Sequence, residues 1–81
     1  MERPTSEQIL RTFGRNVEVL AAQRGIQLKE LAERIQVTPG VLARARYRST
    51  RFVDVEILLG CAEVLGCTAD TLLKPIAGVI Y

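Results

Sequence analysis

The tightest constraint in the sequence lies between Leu28 and Ala45. Leu28, Leu31, Ala32 and Ile35 recur at helical spacing, and Leu42 and Ala45 resume that spacing after an interruption of only Gln36-Val37-Thr38. Two helices joined by so few residues must cross steeply and meet through the apolar side chains nearest the turn. Ala32 is the small residue at the crossing, where a larger one would push the helices apart, and Val37 is expected to plug the turn from inside. Thr38-Pro39 marks the restart as an N-cap followed by proline at the first helical position, where the missing N–H is no loss.

The rest of the chain has the same character. Thr5 and Gln8 fit a capping box with Glu7 in the first turn, and Ile9, Leu10, Phe13, Val17, Leu20 and Ala21 follow as one stripe up to Gly25. Gly14 interrupts this first helix, where it costs about 1 kcal/mol relative to alanine, so a close helix contact is predicted there. Asp54 caps a fourth helix, with Val53 and Leu58 in hydrophobic-staple positions. Its stripe is Val55, Leu58, Leu59, Ala62 and Leu65, and Gly66 ends it. Thr68 caps a short fifth helix containing Asp70, Leu72 and Leu73, closed by Pro75. The expected fold class is therefore all-α, five short helices, with one domain over residues 1–75 and an apolar tail over 76–81.

Composition narrows the function. Eighty-one residues make one domain and one core. There is no histidine, which removes Ser-His and Cys-His nucleophiles, the usual base near neutral pH and nearly all familiar zinc sites. The chain is accordingly expected not to be an enzyme and to need no cofactor or metal. Cys61 and Cys67 read as reduced core hydrophobes. No apolar run approaches the length of a membrane span, and Met1-Glu2-Arg3-Pro4 does not open a signal peptide, so a cytoplasmic location is expected.

Two steeply crossed helices about a three-residue turn are the helix-turn-helix signature. At Phe13-Gly14, Val17, Leu20, Arg24-Gly25-Ile26, Glu30-Leu31-Ala32, Ile35, Val37, Leu42, Leu58, Ala62 and Leu65-Gly66, the chain resembles the XRE family of Cro-like and lambda-repressor-like DNA-binding domains. The resemblance runs from about Phe13 to Leu73. Charge points the same way: residues 43–53 hold four arginines and no acid, in a chain whose net charge is only +2.

The resemblance implies that the third helix enters the major groove. Thr38, Pro39, Gly40, Ala43, Arg44 and Tyr47 would then face the bases, with Arg44 reading a guanine and Ala43 meeting a thymine methyl. Gln27, Lys29, Arg48, Ser49, Thr50 and Arg51 would contact phosphates, which position the protein without reading sequence. The chain departs from the family at four places. Leu28 replaces a phosphate-binding glutamine, Gln36 replaces the turn glycine and so needs an uncommon backbone conformation, Pro39-Gly40 replace polar readers, and Arg46 replaces an acidic residue.

The expected function is a DNA-binding transcription regulator, a repressor acting on a two-fold operator as a homodimer. The dimer contact is expected from Leu72, Leu73, Ile76, Val79, Ile80 and Tyr81, although the tail has the alternative of folding onto its own core. The competing reading is a protein-interaction module on the same fold, an antitoxin or phage-type adaptor whose ligand is another protein. The steep salt dependence of phosphate binding separates the two.

Overall fold

Among the described residues, five helices form where capping residues and glycines bound the apolar stripes. The computed structural model describes residues 3–47 and 54–81. Its helices are α1 (Ser6–Gln23), α2 (Leu28–Arg34), α3 (Pro39–Tyr47), α4 (Val55–Leu65) and α5 (Ala69–Leu73). Thr5 Oγ1 accepts the Gln8 N–H at 3.1 Å while Gln8 Oε1 accepts the Thr5 N–H at 2.7 Å, the predicted capping box. Thr38, Asp54 and Thr68 accept from Val41, Ile57 and Thr71 N–H groups at 3.2, 3.2 and 3.1 Å. Each cap satisfies a donor that the helix itself leaves open. The predicted staple through Val53 lies outside the described residues.

Three of the helices stop in the same way. The residue at the stop takes a left-handed conformation, and the next N–H reaches back to the carbonyl five residues earlier. These bonds are Ile26 to Ala21, Val37 to Ala32 and Cys67 to Ala62, at 2.9, 3.0 and 3.0 Å. Two of the stops are glycines, Gly25 (φ 66°) and Gly66 (φ 70°); the third is Gln36, at φ 63°. The uncommon backbone expected at Gln36 is therefore present, at the turn that joins α2 to α3. A residue with a Cβ in this region is strained by about 1–2 kcal/mol, against which glycine's greater freedom in the unfolded chain must be set. Gln36→Gly should raise stability by about 0.5–1 kcal/mol, a few degrees in Tm, read by thermal unfolding. A lowered Tm would mean that the glutamine side chain holds the turn.

The core is shared by all five helices. Phe13, Val17, Leu20 and Ala21 of α1 meet Leu31 and Ala32 of α2, Leu42 of α3, Ile57, Cys61 and Leu65 of α4 and Leu72 of α5. α1 is the central element and packs most extensively on α3 and α5. Cys61 and Cys67 are free thiols; burial pushes Cys61 up to about 11, so it stays an uncharged core hydrophobe at neutral pH.

Two expectations about facing need correction. On α4, Ile57, Leu58, Cys61, Ala62 and Leu65 supply the buried face, whereas Val55 and Leu59 point outward at 63% and 55% exposure. The helix turns 100° per residue, so 55 and 59 share a line that the core-facing 57, 61 and 65 do not. Leu72, expected at a dimer contact, is fully buried among its own chain's side chains and is unavailable to a second copy.

Candidate nucleic-acid interface

α2 and α3 form the predicted crossed pair. Leu31 and Ala32 on α2 and Leu42 on α3 are fully buried at their junction, with Val37 packed against the core from the turn. Fixing Leu42 inward leaves the opposite side of α3 in solvent. Thr38, Pro39, Gly40, Val41, Ala43, Arg44 and Tyr47 are all exposed. The predicted base-facing residues are thus all exposed, and so is Val41, which sequence reasoning did not assign. Thr38 Oγ1 caps the helix, and the Tyr47 hydroxyl is bonded within the protein, so neither is an unengaged polar group. A Cβ added at Gly40 would approach nothing nearer than Thr38 Oγ1 at 4.0 Å, so nothing inside the protein requires glycine there.

The cations divide into two groups. Arg11, Arg15, Arg34, Arg46 and Lys74 each pair with a carboxylate, on Glu7, Glu18, Glu30, Glu18 and Asp70 respectively. Arg3, Arg24, Lys29 and Arg44 are exposed and have no carboxylate partner among the described residues, and of these Lys29 and Arg44 were assigned to DNA by sequence. Gln27 is exposed at the start of α2 and makes no side-chain capping bond. Arg48, Ser49, Thr50 and Arg51, the other expected phosphate contacts, lie outside the described residues.

Arg46 corrects the expected basic stripe. The charge count of residues 43–53 grouped it with the other three arginines; instead it is 7% exposed and faces α1. Its Nη2 donates to Glu18 Oε2 at 3.3 Å and to the Tyr47 hydroxyl, and its guanidinium lies 4.4 Å from the centre of the Tyr47 ring. The Tyr47 hydroxyl donates in turn to Glu18 Oε2 at 2.7 Å. That bond, with the charges of Arg15 and Arg46, holds the Glu18 carboxyl below the usual carboxylate range despite some burial, and it raises the Tyr47 phenol. The position follows from spacing: Arg46 is one turn after the buried Leu42. A local charge count could not reveal an acid 28 residues earlier.

A second polar residue of α1 was not singled out from sequence. Asn16 is fully buried, and its Nδ2 donates to the carbonyls of Leu72 and Lys74 at 3.0 and 2.8 Å, closing the end of α5. Its Oδ1 accepts from the Tyr81 hydroxyl, which itself accepts the Ile76 N–H at 2.8 Å. The sequence signal is its place in the apolar stripe, three residues after Phe13 and four before Leu20. The tail thus takes the alternative weighed above and folds onto its own domain. Ile76, Val79 and Leu73 are half-buried, whereas Ile80 is 85% exposed.

The family description of a Cro/C1-type HTH DNA-binding domain matches residues 16–78. Among solved structures, two of the clp gene regulator ClgR from Corynebacterium glutamicum superpose with TM-scores of 0.69 at 29% and 28% identity. They align with 80% and 88% of this chain, and with 68% and 87% of theirs. The hypothetical transcription factor NHTF from Neisseria superposes with a TM-score of 0.74 over 93% of this chain and 85% of its own. At 19% identity, that likeness bears on the fold alone. No curated protein sequence matches the chain at a significant level. Among the described residues, no helix is long and apolar enough to cross a membrane.

Proposed function

The chain belongs to the Cro/C1-type helix-turn-helix DNA-binding family, and from that premise we propose that it is a transcription regulator reading duplex DNA with the outer face of α3. The observation that carries the reading is Arg44, exposed and without a carboxylate partner among the described residues, on a helix whose other face is locked into the core by Leu42. A guanidinium so placed suits the O6 and N7 acceptors of guanine in the major groove. Gly40 and Ala43 keep the face low, so the backbone approaches the base edges closely and the Ala43 methyl can meet a thymine methyl. Lys29 on α2 and Gln27 at its N-cap, with Arg48, Ser49, Thr50 and Arg51 after α3, take phosphates. The likeness to ClgR, a clp gene regulator, supports the regulatory role.

Repression by occlusion is the mechanism of this reading. Two copies place their α3 helices in successive major grooves, about 34 Å apart, and exclude polymerase or another activator. No catalytic step is part of it. The test is fluorescence anisotropy with random duplex and with a selected operator. Binding to random duplex should fall steeply between about 50 and 200 mM salt. Arg44→Ala should cost about 1–3 kcal/mol on the operator and much less on random DNA. An Arg44→Ala variant that discriminates as well as the parent removes Arg44 as the reader. Absence of binding even at low salt removes the DNA reading and leaves the protein-interaction role. Light scattering on the operator complex decides between one copy and two.

A further inference from the structure

Two contacts with α1 add to the Leu42 core contact in holding the pose of α3. At the first, the helices nearly touch: a Cβ on Gly14 would lie 2.2 Å from the Arg46 carbonyl oxygen. A close backbone contact is a pivot; it sets the separation and leaves rotation about the contact open. The second contact, one helical turn further along α1, is the Glu18 carboxylate, which holds both the Arg46 guanidinium and the Tyr47 hydroxyl. The side-chain hydrogen bonds of Arg46 among the described residues all run through Nη2, and its buried Nε has no partner. Glu18 and Tyr47 therefore decide where this side chain points. The other oxygen of Glu18 accepts from Arg15 Nη1 at 2.9 Å, and Arg15 Nε donates to the Ile80 carbonyl in the tail at 3.2 Å. Tyr81 is seated one residue along, on Asn16.

We propose that Glu18 is a positioning residue for the DNA-reading helix and that Arg15 shares it with the C-terminal tail, so that the seating of the tail and the pose of α3 are coupled. The proposal rests on the reading of α3 as the DNA-reading helix. It adds a residue that touches no DNA yet sets how Arg44 meets it. Such coupling needs a measurement, because contiguity alone does not establish it.

The test replaces the pair with apolar groups, Glu18→Leu with Arg46→Met, which leaves the net charge unchanged. Arg46 is buried and Glu18 is 40% exposed, and exchanging a pair with a buried partner for apolar side chains of similar volume is often neutral or stabilising. If the pair were only structural, this variant would bind DNA as the parent does. The expected result is a parent-like Tm, DNA affinity weakened about tenfold, and faster amide exchange at residues 45–47. A folded double variant with parent-like affinity overturns the proposal. If the double variant does not fold, Glu18→Gln keeps the shape and loses the charge, and the same readouts decide. Amide exchange needs no DNA, so a changed α3 in a parent that fails to bind DNA would sink the functional reading and spare the positioning role. For the tail, Tyr81→Phe should shift the amide resonances of residues 15–18 and 45–47. Shifts that stop at Asn16 overturn the coupling.

Discussion

Gly14→Ala should destabilise the domain by about 3 kcal/mol, lowering Tm by roughly 12–24 °C. In a helix exposed on that side the same change would stabilise by about 1 kcal/mol, because alanine is the better helix former. Packing reverses the sign. The added methyl would lie 2.2 Å from the Arg46 carbonyl oxygen, more than an ångström inside ordinary contact, and 3.1 Å from its carbonyl carbon. The obstacle is backbone within α3, so no rotamer change relieves it; one helix must move, and moving α3 also strains the Arg46 bond to Glu18. Gly40→Ala is the internal control. Its new methyl meets nothing nearer than 4.0 Å, so it should leave Tm unchanged or raise it. Thermal unfolding of the two variants beside the parent separates the cases. A Gly14→Ala protein as stable as the parent would mean that α1 and α3 do not approach as described.

Elements that are decided locally were legible in the sequence. Thr5, Asp54 and Thr68 start helices because their side chains reach N–H groups three residues away, and Gly25 and Gly66 stop them by adopting φ values that other residues avoid. Gln36 was legible for the same reason, as the one place where the turn demands that conformation of a residue with a Cβ. Arg46 and Asn16 were not legible in this way. Both sit at stripe positions, Arg46 one turn after Leu42 and Asn16 between Phe13 and Leu20, yet a polar side chain at such a position says nothing about its partner. Their partners lie 28 residues earlier for Arg46 and, for Asn16, 56 and 58 residues later along α5 and its end. Only the packing of α1 between α3 and α5 brings them together. The arginine-rich window was correctly read as charge, but its four cations are not equivalent: Arg44 is exposed and Arg46 is consumed inside the fold. Leu72 was placed on a surface because a five-residue helix near an apolar tail has no period long enough to show which side faces in.

Glu18→Ala should cost about 2–4 kcal/mol, and Arg46→Met about 1–2 kcal/mol, although the two substitutions break the same pair. The asymmetry comes from what each leaves behind. Without Glu18, the Arg46 cation remains with 6% of its side chain exposed and, among the described residues, an Nε lacking a partner and only Tyr47 to bond. Without Arg46, the Glu18 side chain is still 40% exposed and keeps Arg15 and the Tyr47 hydroxyl as donors, so water and neighbours satisfy it. The charge itself can be removed by acid. The folded protein holds Glu18 below the usual carboxylate range, through the Tyr47 hydrogen bond first and then Arg15 and Arg46. The carboxylate's contribution is therefore fully present above the unfolded value and is lost as pH falls through the lowered folded value. The raised Tyr47 phenol behaves oppositely, contributing below its ordinary value and losing that contribution in strong alkali. In urea unfolding, the stability gap between parent and Glu18→Ala should be widest near neutral pH and narrow towards about pH 3. A gap that stays constant into acid would show that the carboxylate's shape, and not its charge, holds α3 against α1.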